Sequence, residues 1–275
     1  MIDKEFLGTE KVSRLFVKLA VPSVVAQLVN LLYNMVDRIY IGHMENVGRL
    51  ALTGVGVCMP VILIVSAFAA FVGMGGAPQV SIFMGKKDYD SAERTMGSCF
   101  SFLIIISLLL TAVLYIFGER LLMVFGASEN TIGYAVSYMN IYAIGTIFVQ
   151  MTLGMNAFIT AQGFARTGML SVLIGAVANI ILDPIFILPK GYDMGLFKMP
   201  IGFDMGTKGA AIATVIGQIV AFLIAAIINA RKNPDVRLKL REFRPKLSLI
   251  GRIYAIGLPS VIMVAIGSVM PWMMN

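Results

Sequence analysis

Two acidic residues, Asp37 and Asp183, lie inside long apolar stretches of this 275-residue sequence. The rest of its 15 Asp and Glu residues fall in tails, loops or helix ends. Burying a carboxylate at membrane depth costs at least about 2.5–3.5 kcal/mol, so such residues usually face a cavity and serve a function. A carboxylate held there can accept a proton, and together with amide and hydroxyl oxygens it can also bind a hard cation such as Na⁺. The sequence therefore predicts that the two acids form a proton- or cation-binding pair.

Polar residues accompany the two acids three or four positions apart, which is the spacing of one helix face. The positions are Gln27, Asn30, Asn34 and Asp37 in the first apolar stretch, Ser171, Gly175, Asn179 and Asp183 in the fifth, and Thr214 and Gln218 in the sixth. Counting from Arg166 at about 1.5 Å per residue places Asp183 about 24 Å along its helix, at a depth similar to that of Asp37. We expect these faces to line a shared cavity.

Two other interpretations of the polar residues remain open. Asn and Asp side chains can simply hydrogen-bond across packed helices. Asp37 also neighbours Arg38, so it can form an ion pair at the helix mouth.

The elements that position these residues follow from the composition. Hydrophobic residues make up 58% of the chain and charged residues 13%, with a mean hydropathy of +0.86, whereas soluble domains carry about 25% charged residues. Seven stretches reach the roughly 20 residues of a membrane-spanning helix. They are about Leu15–Tyr40, Leu52–Met84, Cys99–Phe117, Ile132–Ile159, Met169–Leu188, Ala210–Ala230 and Leu249–Met274. They are too long and too uniformly apolar for barrel strands. We predict an all-α integral membrane protein.

Charge placement predicts the topology. Most of the 22 Lys and Arg residues fall on one side when the stretches alternate in direction. The positive-inside rule therefore predicts that the N-terminus is cytoplasmic. We expect the protein to lie in the plasma membrane. The basic run 231–252 then lies on the cytoplasmic side, and its simplest interpretation is an anchor near anionic lipid. The loop at 189–208, rich in Gly, Asp and Lys, is expected outside, where it can form a small hairpin.

A short internal similarity divides the chain. The segment Leu19–Val25 resembles Ile256–Ile262, and both follow basic residues, which suggests parallel repeats. The predicted domains are a six-helix transmembrane lobe at 1–230, a cytoplasmic basic linker at 231–248, and at 249–275 the first helix of a second lobe. We expect a longer protein that contains the remaining C-terminal lobe.

Other classes of function lack their motifs. The single histidine, His43, lies in an outer loop, and no nucleophile–base set appears, so we predict no enzyme. No phosphate-binding Gly-x4-Gly-Lys motif supports an ATP-driven pump. The basic run lacks the aromatic platform of a nucleic-acid site. Cys58 and Cys99 stand alone in apolar runs and are expected to be small buried hydrophobes. No cofactor is predicted besides H⁺ or Na⁺.

Several motifs together resemble the multidrug and toxic compound extrusion (MATE) family. They are Pro22 with Asn34-Met35-Val36-Asp37, Gly85-Lys86-Lys87-Asp88 with Ala92-Glu93-Arg94, Ala161-Gln162-Gly163 with Thr167, Asn179-Ile180-Ile181-Leu182-Asp183-Pro184, and Gly209–Thr214 with Gln218. Each motif is modest, but their order and spacing cover essentially the whole chain.

The resemblance implies a twelve-helix exporter of two six-helix lobes that exchanges H⁺ or Na⁺ for small organic cations. It implies that Asp37, Asn179, Asp183 and Thr214 line the coupling-ion site of the first lobe. The substrate cavity is expected to include Gln27, Asn30, Asn34 and Gln218. The alternative is a flippase for lipid-linked oligosaccharides or lipids. That alternative requires a cationic cavity for diphosphate, whereas the intramembrane charges of this chain are acidic.

Overall fold

The computed structural model describes residues 10–44, 46–193, 199–231, 236–239, 242–243, 251 and 257. Six helices cover most of these residues: α1 Val12–Gly42, α2 Gly48–Gly85, α3 Tyr89–Val124, α4 Ile132–Ala161, α5 Ala165–Ile187 and α6 Thr207–Arg231. All six are long and apolar enough to cross a membrane. The predicted all-α membrane fold and its first six spans are therefore confirmed. The seventh helix lies almost wholly outside the described residues and stays a prediction.

Three consecutive helices end in the same way. A residue in the left-handed conformation follows α2, α3 and α4, at Lys87, Gly126 and Gly163 respectively. In each case the next N–H bonds back to a carbonyl five positions earlier, as Ala127 does to Leu122 and Phe164 to Ile159. This arrangement satisfies carbonyl groups that a helix end otherwise leaves free, and glycine adopts it without strain.

The third helix is much longer than the predicted Cys99–Phe117. Its N-terminal turns are polar, so hydropathy alone missed them, but the Asp88 side chain accepts a hydrogen bond from the Ser91 N–H and caps the helix at its true start. The second helix is continuous from Gly48 to Gly85, and Pro78 lies inside it.

The helices alternate in direction and pack around α4. This helix contacts α2, α3, α5 and α6, whereas α1 lies at the edge and packs mainly on α5. At one end of the bundle, Gly54 in α2 meets Thr131 just before α4. At the other end, Gln162 after α4 hydrogen-bonds to Asn229 near the end of α6. Each helix therefore crosses the bundle once, as the charge pattern predicted.

A small hairpin joins α5 to α6 among the described residues. Pro189 pairs with Phe203 in an antiparallel bridge, and Gly191 and Met199 bond through the backbone. Pro189 explains why α5 stops, since the residue before a proline is pushed out of the helical conformation, and Leu188 is extended at ψ 154°. The Tyr192 hydroxyl donates to the His43 carbonyl at 3.0 Å, which ties this loop to the end of α1.

Candidate ion-binding site

The most deeply buried acid, Asp183, is held by α5 against α6. Asp183 is fully buried, and Asn179, one turn earlier, donates from Nδ2 to its Oδ1 at 3.0 Å. The same amide lies 3.5 Å from the Thr214 Oγ1 on α6. The second carboxylate oxygen of Asp183 and the amide oxygen of Asn179 have no hydrogen-bond partner among the described residues. The predicted group of Asn179, Asp183 and Thr214 therefore comes together, with two acceptor oxygens unused.

The other acid, Asp37, reaches the same region from α1. It is 5% exposed, and its Oδ1 also lacks a hydrogen-bond partner in the part of the chain that the structure describes. Asp37 lies close enough to Asp183 for their charges to interact. Arg38 acts on Asp37 only through its charge, and no salt bridge joins either acid to a cation among the described residues. The ion pair considered above for Asp37 and Arg38 is thus not formed.

Two tyrosines that the sequence analysis missed, Tyr33 and Tyr138, lie within range of the acids' charges. Tyr33 interacts with both carboxylates and accepts from the Gln218 Nε2 at 3.4 Å. Tyr138 on α4 lies beside Thr214 and stacks 6.3 Å from Tyr142. Sequence spacing offered a signal for Tyr33, since it lies three residues after Asn30 and four before Asp37 on the polar face of α1.

A cavity of about 20 Å³, which has room for about one water molecule, lies beside Asn179, one helical turn before Asp183. Its polar lining comes from four helices and comprises Asn30, Tyr33, Thr152, Asn179, Thr214 and Gln218. The amide oxygens of Asn179 and Gln218 are both buried, and neither has a hydrogen-bond partner within the described ranges. The two carboxylates lie beside this cavity rather than in its lining.

Gly175 of α5 and Gly217 of α6 line the cavity at the point where the two helices cross. A Cβ on Gly217 would lie 2.7 Å from the Gly175 carbonyl oxygen, and one on Gly175 would lie 2.7 Å from that of Gly217. Any larger residue would force the helices apart. This close approach brings the polar face of α5, predicted from Ser171 to Asp183, against Thr214; all four of its residues are buried.

The remaining predicted cavity residues occupy different settings. Asn34 is half-buried and donates to the Asn30 carbonyl of its own helix at 2.7 Å. Gln27 is exposed on α1, away from the cavity lining, and its role stays a prediction. Cys58 and Cys99 are buried and free. In the part of the chain that the structure describes, no cluster of three or more His, Cys, Asp or Glu residues suits a metal ion.

Six membrane-length helices, and two buried acids with no cationic partner among the described residues, define a polytopic helical membrane protein. The family MatE matches residues 22–185, and the chain belongs to this family.

The chain is also similar to characterised proteins and to solved structures. It is 24% identical over 256 residues to the multidrug export protein MepA of Staphylococcus haemolyticus, covering 93% of this chain and 53% of that protein. A transporter of the MOP superfamily from Pyrococcus furiosus, described by the reverse polarity of its binding pocket, shares 25% identity with a TM-score of 0.81 over 96% of this chain and 55% of its own. A multidrug resistance MATE transporter in an outward-facing conformation shares 24% identity with a TM-score of 0.80, covering 96% and 55%. The chain thus spans about half the length of the relatives that it matches.

Proposed function

We propose that this chain forms the first lobe of an antiporter that exports small organic cations in exchange for H⁺ or Na⁺. In this proposal, residues 1–230 are the lobe, 231–248 the cytoplasmic linker and 249–275 the first helix of a second lobe. Its family and the multidrug export function of its Staphylococcus relatives support the class of transport. The site on α1, α5 and α6 supports the coupling to an ion.

One observation carries the proposal: Asp183 and Asp37 are both buried, close enough for their charges to interact, and without a cationic partner among the described residues. Two buried carboxylates that repel each other are costly while both are charged. A proton or a metal cation removes that cost. An organic cation and the coupling ion then compete for the same acidic region. Binding of one favours release of the other, and this competition couples export of the organic cation to movement of the ion.

The free oxygen atoms match what a hard cation needs. The unpartnered acceptors are Asp37 Oδ1, Asp183 Oδ2 and Asn179 Oδ1, and the Thr214 hydroxyl is adjacent. Hard cations prefer carboxylate, amide and hydroxyl oxygens. This set can hold Na⁺, and the same carboxylates can hold a proton in its absence. Asn30 and Gln218 extend the polar surface toward the substrate, with Gln27 and Asn34 on the same helix face as Asn30.

The test uses a full-length transporter carrying this lobe, reconstituted in vesicles with imposed Na⁺ or pH gradients. We expect Asp37→Asn and Asp183→Asn each to abolish gradient-driven export of a lipophilic cation. Glu129→Gln, an exposed acid before α4, is the matched control and should export normally. Unchanged export by both aspartate variants would refute the site, and the gradient that drives the unmodified protein identifies the coupling ion.

A flippase for lipid-linked oligosaccharides is the second candidate. The Pyrococcus relative shows that pocket polarity differs among similar folds, because the reverse polarity of its pocket is what suggests a different function for it. Here the buried charges beside the cavity are acidic, which opposes a lipid diphosphate. Flipping of such a lipid that persists in the Asp37→Asn variant would favour this candidate.

We also propose a plasma-membrane location with the N-terminus in the cytoplasm, which the alternating helices and their basic ends support. Labelling a cysteine placed beside Lys11 with a membrane-impermeant reagent, in intact and in opened cells, tests it. Labelling of intact cells would contradict this orientation.

A further inference from the structure

The segment that follows α6 packs back onto the start of α3. Val236 is fully buried and joins a core cluster with Met96 and Phe158. Leu238 packs partly against the same cluster, and its N–H donates to the Asn229 carbonyl at 2.9 Å. We name residues 236–243 the strap; 240 and 241 lie outside the described residues.

An acid in the first turns of α3 holds the strap. Glu93 is only 5% exposed, accepts from the backbone N–H of Arg237 at 3.0 Å, and pairs with the Lys239 Nζ at 2.5 Å. Both carboxylate oxygens are thus used, one for the backbone and one for the side chain. An ordinary exposed ion pair contributes little to stability. The Glu93 carboxylate is buried, so the loss of its partners would leave an uncompensated charge and would be costly.

The far end of the strap fits α3 equally closely. A Cβ on Gly97 would lie 2.6 Å from the Glu242 carbonyl oxygen, so only glycine leaves room for the strap backbone at this position along α3. Beside it, the rings of Phe100 and Phe243 lie 4.6 Å apart. Arg94 adds an outer ion pair to Glu242 at 3.8 Å.

We infer that the α3 face formed by Glu93, Gly97 and Phe100 is a docking groove for residues 236–239 and 242–243 of the strap, which makes this part of the connector a fixed strut rather than a basic loop anchored on anionic lipid. The described residues of the strap cover the start of α3, and later in the chain Gly257 lies against the Phe71 carbonyl of α2. The inference concerns this end of the bundle alone and does not depend on the proposed ion exchange.

Hydrogen exchange of the Arg237 and Leu238 amides tests the strut in the purified protein. Glu93→Ala removes both bonds and should speed exchange of these amides by about 10-fold or more, since hydrogen bonds to charged groups stabilise by about that factor. Glu93→Gln keeps an acceptor for the Arg237 N–H but loses the charge pair with Lys239, so its exchange should be intermediate. Asp90→Ala removes an exposed acid from the same turn and should leave exchange unchanged.

The same measurement separates a strut from a lipid anchor. We expect equal protection in vesicles of phosphatidylcholine and in vesicles rich in phosphatidylglycerol. The inference would be overturned if the Arg237 and Leu238 amides were protected from exchange only in phosphatidylglycerol vesicles and if that protection were unchanged in the Glu93 variants. Should Glu93→Ala fail to fold, Glu93→Gln and Lys239→Met still decide the question, because both leave the Val236 packing untouched.

Discussion

Replacing Gly217 by alanine tests whether the crossing of α5 and α6 controls the ion site. The new Cβ would lie 2.7 Å from the Gly175 carbonyl oxygen and 3.1 Å from the Asn179 Cβ, against about 3.4 Å for ordinary contact. The helices must therefore separate by about 0.7 Å at this point, and overpacking of this kind costs about 1–3 kcal/mol. The Asn179–Thr214 contact, already 3.5 Å, would be lost. No polar group is removed, so any loss of function comes from geometry.

Thermal unfolding in detergent and ion-driven export by the full-length transporter are the two assays. We expect Gly217→Ala to melt several degrees lower and to export more slowly. Gly56→Ala is the matched control, because Gly56 lies within α2 with nothing within 4 Å of a Cβ, and alanine there should stabilise the helix by up to about 1 kcal/mol. If the two variants behaved alike in both assays, the close glycine contact would not be what holds the site together.

Three further changes test the helix ends. The pKa of Asp88 lies below its ordinary value of 3.8 because the Ser91 hydroxyl and backbone N–H bond to it. Asp88→Ala should therefore lower the melting temperature at neutral pH. The gap should narrow as the pH falls below 3.8 and should close once it falls through the lowered pKa of Asp88, where the wild-type cap is protonated. Lys87→Gly should raise the stability by up to about 1 kcal/mol, since Lys87 adopts a left-handed conformation at φ 59°; an unchanged melting temperature would show that no strain is relieved. Asn229→Ala removes buried hydrogen bonds to Gln162 and to two helix carbonyls, and chemical unfolding should show a cost of about 1–3 kcal/mol, whereas no change would mean that the network is not stabilising.

Hydropathy and spacing predicted much of the fold and of the site. Long apolar runs identified six helices because each must satisfy its backbone inside the membrane. Steps of three and four predicted that Asn179 and Asp183 share a face, and the structure places both on the buried side of α5. The polar first turns of α3 escaped detection because they lie beyond the apolar run that hydropathy measures.

Contacts between distant segments were beyond such patterns. Tyr138 approaches Thr214 only because α4 packs on α6, and no periodicity within α4 distinguishes it from the other tyrosines of that helix. The docking of the strap on Glu93 was equally hidden, because a carboxylate near a helix start is usually solvated. The two acids could be found from the sequence because the free-energy cost of a carboxylate in hydrocarbon makes such residues rare in apolar stretches.

The loop after α5 has a consequence for how far the acids lie from water. The N–H groups of residues 203–206 bond to the last four carbonyls of this segment, those of Ile185, Phe186, Ile187 and Leu188. The loop therefore replaces the next helical turn, and the helix terminus needs no solvent to satisfy its backbone. Hydrocarbon can then extend past the end of α5, so the surface of the bilayer is not tied to Leu188. Asp183 lies one turn before that end. It can therefore lie farther from bulk water than the number of residues counted along the helix from Arg166 implies.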